Sequence, residues 1–267
     1  MTRRRPTVAD LQAWKGQRQL TNVYVGSTDE AEAAEAAGID IITVQDSLMS
    51  EAVREAAPSA FMVVGLDYGH VVTTDDYLRA AFKALLAGGD ACWSAASLET
   101  ISRMRAEGIP VIGHVGLIPP RRTWTGGFKA VGKTARSALE VWRQVQELEA
   151  AGAFAAEIEV VPSAVAAAIS ERTSLVMISM GSGAGCDAQY LFSTDILGTN
   201  TGHVPRHAKV YGDIGAELDR VQRLRVDAYR AYADDVRNGQ FPDDTRLVPI
   251  PDDELGEFTA ALAAERS

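Results

Sequence analysis

The amino-acid sequence predicts an α/β fold, a (β/α)₈ TIM barrel in which parallel strands alternate with helices. Eight short apolar runs occur along the chain, and helical patterns separate most of them. The length of 267 residues is usual for one such barrel. We therefore predict a single barrel domain over residues 1–267, with an N-terminal helical segment and a C-terminal helical extension. A doubly wound open sheet is the alternative arrangement.

The predicted strands are short and apolar, which is typical of strands buried in a parallel sheet. They cover residues 22–25, 39–44, 61–66, 91–93, 111–114, 155–160, 175–180 and 193–197, and the last run has the weakest pattern. Strand 39–44 is the clearest, because its β-branched run follows Gly38 and stops at the polar pair Asp46 and Ser47.

Helical patterns lie between most of these strands, with amphipathic spacing or end residues that favour a helix. The predicted helices cover residues 29–37, 74–87, 97–106, 135–151 and 162–170. Ser97 is a candidate N-cap, and Gly152 follows the end of a helix, as glycine often does. Residues 216–238 form a longer charged, amphipathic pattern after the eighth unit. An amphipathic stretch within residues 1–20 could close the bottom of the barrel.

The composition is that of an ordinary globular protein, with 46% hydrophobic and 23% charged residues. A formal net charge of -10 argues against nucleic acid or an anionic membrane as the main partner. The sequence has no apolar run of membrane-spanning length and no signal-peptide pattern. Cys92 and Cys186 make no disulfide framework. We therefore expect a cytoplasmic protein in which both cysteines pack as small apolar residues.

Functional side chains of a barrel follow its strands at their carboxyl ends. Asp46 and Asp67 follow neighbouring predicted strands, and carboxylate oxygens are ligands that Mg²⁺ prefers. Such an ion would polarise the carbonyl of a 2-oxo acid and stabilise the enolate formed when the adjacent proton is removed. The alternative is that Asp46 and Ser47 only cap the next helix.

Glu157 and Glu159 alternate onto one face of a strand that is otherwise apolar, and an acid pair there is unusual for a core. Glu159 could be the base that removes the proton, with its pKa raised by burial, or it could be a salt-bridged strand residue. His114 ends the preceding strand, where a structural role is as common as a catalytic one.

Two further motifs leave alternatives open. The run Gly181-Ser182-Gly183-Ala184-Gly185 could cradle an anion with its backbone amides, or it could form a tight turn of the barrel. His203 and His207 have a spacing that suits a metal ion only within a helix, and Pro205 between them argues against a regular helix.

Several motifs occur together in the order found in a known family. They are Asp46-Ser47-Leu48, Gly113-His114-Val115-Gly116-Leu117-Ile118-Pro119, Gly126-Gly127-Phe128-Lys129, Glu159-Val160-Val161-Pro162, Gly181-Ser182-Gly183-Ala184-Gly185, Asp187-Ala188-Gln189 and Gly202-His203-Val204-Pro205. From about residue 6 to residue 242 the sequence resembles ketopantoate hydroxymethyltransferase, of the phosphoenolpyruvate mutase/isocitrate lyase superfamily. The shared order makes this resemblance specific.

The resemblance implies a role for each matching residue. Asp46 and Asp67 would bind Mg²⁺ or Mn²⁺, and Ser47 would contact the carboxylate of the 2-oxo acid. Glu159 would abstract the proton next to the carbonyl, and His114 would lie beside the new hydroxymethyl group. The resemblance also implies 3-methyl-2-oxobutanoate as acceptor, 5,10-methylenetetrahydrofolate as one-carbon donor, and a homo-oligomer.

The sequence departs from the family pattern at three places. The segment after Asp46 is short, because residues 48–60 alone separate it from the third strand. Trp93-Ser94-Ala95 replaces a Lys-x-Glu pattern, so the lysine that would hold a substrate carboxylate and the acid that would support the metal are absent. His70 could supply a missing ligand or charge, or it could lie in solvent.

From these departures we expect a divergent paralogue that acts on an altered, bulkier substrate beside the flat ring of Trp93. Two other functions stay open. One is a carbon–carbon lyase or hydrolase of the same superfamily that cleaves a 2-oxo or 2-hydroxy acid. The other is a barrel that binds a small metabolite without catalysis.

Overall fold

The computed structural model describes residues 4–265, and these form a closed barrel of eight parallel strands, β1 to β8. The strands are β1 (Leu20–Tyr24), β2 (Ile41–Gln45), β3 (Phe61–Gly65), β4 (Ala91–Trp93), β5 (Val111–Gly116), β6 (Ala155–Glu159), β7 (Val176–Met180) and β8 (Ala188–Phe192). Each strand pairs with its neighbours in sequence, and β8 closes the barrel on β1. The predicted (β/α)₈ fold is confirmed. Residues 1–3 and 266–267 of the predicted domain lie outside the described part.

Helices follow the first six strands and cover the outside of the barrel. Within the described residues, the α-helices before the C-terminal segment are α1 (Val8–Trp14), α2 (Thr28–Ala36), α3 (Glu51–Ala56), α4 (Thr74–Leu86), α5 (Leu98–Ala106), α6 (Arg122–Thr125), α7 (Ala135–Ala150), α8 (Ser163–Ser170) and α9 (Ser193–Ile196). Side-chain caps begin most of the longer ones, and the predicted cap Ser97 accepts a hydrogen bond from the backbone N–H of Thr100. These helices begin and end within two residues of their predicted limits where a helix was predicted.

The predicted eighth strand, residues 193–197, is wrong. The strand that closes the barrel is β8, and residues 193–196 form the short helix α9. Only alternate residues of β8, Ala188 and Tyr190, belong to the interior core. Gln189 between them donates to the carbonyl oxygen of Gly183. The run is therefore not continuously apolar, which is why the apolar pattern favoured the wrong segment.

The core has two layers, one inside the barrel and one between the strands and the helices. The interior layer consists of alternate strand residues such as Ile41, Phe61, Ile112 and Ile178. The outer layer joins the opposite faces of the strands to α2, α3, α4, α5, α7 and α8. Leu11 of α1 is buried in the interior layer, in agreement with a role for the N-terminal segment at the bottom of the barrel.

The chain divides into two compact units, residues 1–213 and residues 214–267. The second unit contains the helices α10 (Ile214–Arg237) and α11 (Asp252–Glu265), and α10 matches the predicted amphipathic extension. The expectation of one domain over the whole chain stays a prediction. Within residues 4–265, no helix is both long enough and apolar enough to cross a membrane.

Candidate active site

Asp46 and Asp67 follow two strands that are hydrogen-bonded to each other. Asp46 comes directly after β2, and Asp67 lies two residues after β3. The backbone N–H of Asp46 donates to the carbonyl oxygen of Gly65, at 3.0 Å, so the ladder between the strands continues to this point. Both side chains therefore leave the barrel at its carboxyl rim, where parallel barrels hold their functional groups.

The two aspartates differ in their partners. Asp67 is in contact with the imidazole of His70, which has 84% of its side chain exposed. Within residues 4–265 the Asp46 carboxylate has no hydrogen bond or ion pair, and Ser47 beside it is exposed. Carboxylate oxygens at a partly open rim are a donor set that suits Mg²⁺ or Mn²⁺. His70 thus lies in solvent and contacts a candidate metal ligand, and its role as a replacement ligand or charge stays a prediction.

A second acidic group lies inside the barrel, on β5 and β6. His114 and Glu157 are register partners across these strands, and Glu159 pairs with Gly116 one step nearer the rim. The His114 Nε2 atom is 3.2 Å from the Glu159 Oε2 atom. Among the described residues, His114, Glu157 and Glu159 are the one trio of His, Cys, Asp or Glu whose ligand atoms all lie within 4.8 Å of one another.

All three residues are buried, with whole-residue exposures of 4% for Glu157, 7% for His114 and 8% for Glu159. Glu159 is the member closest to the rim, because it is the last residue of β6. The spacing would suit a small cation or a shared proton, and a cation would require all three groups to be deprotonated.

Trp93 covers this trio from the neighbouring strand β4. Its ring meets the His114 ring edge to face, with centroids 5.5 Å apart. The indole N–H faces Glu157 and favours its charged form. Neither the indole nitrogen nor the two ring nitrogens of His114 has a hydrogen bond of regular geometry among the described residues. Buried polar atoms without such bonds mark a place where a ligand, water or proton transfer is expected.

The electrostatics of the trio follow from burial and from its two acids. Burial raises the pKa of Glu157 to about 7, and His114 opposes this rise. Burial disfavours the charged form of His114, but the carboxylates of Glu157 and Glu159 outweigh it and raise the pKa of the imidazole. Burial and the Glu157 charge also raise the pKa of Tyr190 on β8 well above its ordinary value.

Sequence reasoning missed the polar layer beneath these residues. Tyr190 faces Glu157 from β8, and the Thr43 hydroxyl donates to the Asn22 side-chain oxygen at 2.9 Å. All of them point into the barrel at alternate strand positions. The misplaced eighth strand removed Tyr190 from consideration, since correct alternation along β8 would have turned it inward.

The backbone after Glu159 is tightly held. Val160 has a φ of 50°, which is rare for a β-branched residue. Its N–H donates to Met180 and its carbonyl accepts from Val131, while the Val161 N–H donates to the hydroxyl of Ser182. Strain of this kind clusters at functional sites because the surrounding structure must enforce it. These bonds fix the direction in which Glu159 leaves the strand.

Two glycines of the run 181–185, Gly183 and Gly185, pack against α8, while a Cβ on Gly181 would lie 2.7 Å from the His207 Nδ1 atom. Residues 181–187 return the chain from the end of β7 to the start of β8 without a helix, so they must run close over the barrel's outer layer. A Cβ on Gly183 would lie 2.5 Å from the Ser163 Cβ, and a Cβ on Gly185 would overlap the side chain of Ala167. The tight connection accounts for Gly183 and Gly185, and the anion-cradle alternative stays a prediction.

The remaining candidates have no site around them. His203 and His207 lie in an irregular segment and are exposed. Cys92 and Cys186 are buried, and burial raises the pKa of each thiol to about 12. Both cysteines therefore pack as apolar groups and are poor nucleophiles.

Comparison with known proteins gives one consistent family. The family model described as ketopantoate hydroxymethyltransferase matches residues 48–244. The 3-methyl-2-oxobutanoate hydroxymethyltransferase of Thermus thermophilus is 35% identical over 264 residues, covering 89% of this chain and 97% of that protein. A similarly named protein of Methylibium petroleiphilum is 30% identical and covers 99% of this chain and 96% of its own length.

Solved structures support the fold. A 2,3-dimethylmalate lyase of the phosphoenolpyruvate mutase/isocitrate lyase superfamily superposes with a TM-score of 0.51 at 13% identity, covering 96% of this chain and 98% of that one. A phosphonopyruvate hydrolase superposes with a TM-score of 0.50 at 16% identity, covering 98% of each chain. At these identities the likeness concerns the barrel alone.

Proposed function

The chain belongs to the ketopantoate hydroxymethyltransferase family, and we propose that it adds a hydroxymethyl unit to a 2-oxo acid through an enolate. The observation that carries this proposal is the carboxylate of Glu159 at the carboxyl end of β6, close to the rim and 3.2 Å from His114. A base at this place can reach a substrate seated at the mouth of the barrel.

Each residue has a proposed task. Asp46 and Asp67 would hold Mg²⁺ or Mn²⁺, which when bound supplies Lewis-acid polarisation of the substrate carbonyl. Ser47, exposed beside Asp46, would donate a hydrogen bond to the substrate carboxylate. Glu159 would take the proton next to the carbonyl. His114 would lie against the incoming one-carbon unit, which 5,10-methylenetetrahydrofolate would donate.

The substrate differs from that of the family's pantothenate enzyme in this proposal. Trp93, at the position where the family pattern has lysine, is partly exposed and contacts the buried His114. An indole supplies area and one donor but no charge. A 2-oxo acid with a larger apolar side chain than 3-methyl-2-oxobutanoate fits such a wall better than a smaller one. We also propose that the protein is a homo-oligomer, which sedimentation would test.

Proton exchange tests the base directly. The protein is incubated in D₂O with Mg²⁺ and either 3-methyl-2-oxobutanoate or 3-methyl-2-oxopentanoate, and loss of the C3 proton signal is followed by NMR. We expect Glu159→Gln to slow exchange by roughly 100-fold or more. Glu171→Gln is the matched control, because its side chain is 72% exposed and far from the rim chemistry. Equal exchange by Glu159→Gln and the parent would remove the base assignment.

Calorimetric titration with Mg²⁺ tests the metal ligands independently of turnover. We expect Asp46→Asn and Asp67→Asn each to weaken Mg²⁺ binding in the presence of the 2-oxo acid. Absence of both metal binding and exchange in the parent protein would favour a metabolite-binding barrel. Cleavage of a 2-hydroxy acid without one-carbon transfer would favour a lyase.

A further inference from the structure

Glu157 has no task in the proposed reaction, although it is one of the least accessible acids in the chain. It lies inward of Glu159 on β6 and is the register partner of His114. Trp93 covers it on one side. An isolated buried carboxylate is costly, so a retained one needs a partner. Within residues 4–265, neither Glu157 nor Glu159 is paired with a lysine or an arginine, and His114 is the cationic group in reach of both.

The charge balance of the trio depends on that imidazole. Glu159 must be ionised to accept a proton from carbon, and it then lies 3.2 Å from the His114 Nε2 atom. A second carboxyl group beside the same ring favours the protonated imidazole over the neutral one. The other titratable group that faces Glu157 is Tyr190 on β8, while Trp93 on β4 carries no charge.

We propose that Glu157 is a positioning residue that keeps a proton on His114, so that an imidazolium supplies the cation that strand β4 lacks. This inference rests on the proposed function. When the substrate proton moves from carbon to the Glu159 carboxylate, negative charge develops on the substrate carbonyl oxygen. The imidazolium beside Glu159 stabilises that developing charge electrostatically and retains its proton. A charged group fixed in place before the charge appears stabilises the transition state most effectively.

The geometry also explains why Glu157 acts through His114 and does not touch the substrate. Glu157 faces Trp93, His114 and Tyr190 and lies two residues inside the carboxyl end of β6, whereas Glu159 is the last residue of that strand. A buried acid that orients and charges a histidine is a recurring arrangement in enzymes. Here the acid and the histidine lie on adjacent parallel strands, which holds their separation constant.

The protonation of His114 can be measured without substrate. The chain has four histidines, and ¹⁵N-histidine NMR distinguishes neutral from protonated rings. His70, His203 and His207 are exposed, whereas His114 is buried, so single His→Gln variants assign the His114 signal. In the parent protein we expect His114 to remain protonated above the ordinary histidine value of about 6.5. In Glu157→Gln we expect the midpoint of His114 to fall by one pH unit or more, while Glu157→Asp restores part of the difference.

Exchange kinetics supply the second readout. In Glu157→Gln we expect the alkaline limb of the exchange-rate profile to move to lower pH with the His114 midpoint. We expect kcat to fall about tenfold near pH 8 with little change in KM. An unchanged His114 midpoint would overturn the proposal, as would a rate loss that is equal at every pH. The alternative is that His114, Glu157 and Glu159 bind a metal ion, and equilibrium dialysis against Zn²⁺ and Mn²⁺ tests it. The proposal would be overturned in favour of a metal site if Glu157→Gln abolishes metal binding while Asp67→Asn leaves it intact.

The two proposals fail separately. If the parent protein catalyses no exchange, the proposed function fails while the NMR midpoints still report whether Glu157 holds the proton. If exchange requires Glu159 but is indifferent to Glu157, the proposed function stands and the positioning role falls.

Discussion

Replacing Gly185 with alanine tests whether the glycine run serves packing or ligand binding. The backbone of Gly185 needs no left-handed conformation, so the effect of the substitution is steric. The added Cβ would overlap the Ala167 side chain on α8 and lie 3.0 Å from its Cα. Overpacking of this kind costs about 1–3 kcal/mol. The lower entropy of the unfolded alanine chain offsets roughly 0.4–1 kcal/mol.

We therefore expect Gly185→Ala to lower the free energy of unfolding by about 1–2 kcal/mol, equivalent to a fall in Tm of roughly 2–8 °C. Gly26→Ala is the matched control, because the nearest atom to its added Cβ is the Glu30 Oε2 atom at 3.7 Å. Thermal unfolding followed by circular dichroism measures both variants.

A double-mutant cycle identifies the clash. Ala167→Gly removes the opposing Cβ and should alone cost about 1 kcal/mol, because glycine is a poor helix former. Combined with Gly185→Ala, it should recover about 1 kcal/mol relative to the sum of the single changes. Strict additivity, or an unaltered Tm accompanied by weaker phosphate binding in Gly185→Ala, would refute the packing explanation.

Two further predictions concern buried acids. Burial raises the pKa of Glu157 to about 7, against an ordinary value of 4.5. Between these pH values the folded state therefore holds a proton that the unfolded state releases. The free energy of unfolding should fall by about 3 kcal/mol as the pH rises through this range. Urea unfolding from pH 4.5 to 8 should show this decline in the parent and a flatter curve in Glu157→Gln; matching curves would contradict it. Asp187 accepts hydrogen bonds from Lys15 Nζ at 2.7 Å and from the Met177 N–H at 2.8 Å. Asp187→Ala should therefore lower the free energy of unfolding, measured in urea, by about 2–4 kcal/mol. A decrease below about 1 kcal/mol would mean that these bonds contribute little.

The sequence supports a detailed prediction wherever one residue pattern has one structural solution. Strand β3 (Phe61–Gly65) is apolar on both faces because both faces are covered, so its composition alone predicts it. The composition of β8 does not predict a strand, because β8 alternates buried and partly exposed residues. A period-two pattern of five residues is easily lost beside the short apolar run that follows it.

The candidate site likewise has features that the sequence predicts and features that it does not. The positions of Asp46, Asp67 and Glu159 at strand ends were predictable, because strand ends in a parallel barrel converge on one rim, and their roles stay predictions. The expectation that His114 ends its strand is wrong, because β5 continues to Gly116 and holds His114 inside the barrel. The placement of Glu157 beside His114 was not predictable. It depends on the parallel register that sets Glu157 opposite His114 and on the position of Trp93.

The amino-acid sequence by itself determined the barrel, its acidic rim and the family. Hydrophobic periodicity and motif order depend only on the order of residues along the chain, so no tertiary contact is needed to recognise them. The tertiary structure alone decided which of these side chains meet. His114 and Glu159 are 45 positions apart in sequence and 3.2 Å apart in space, and their separation is set by strand register and barrel closure. Those same constraints bury Glu157 beside the histidine, where a carboxyl group changes the protonation of its neighbour.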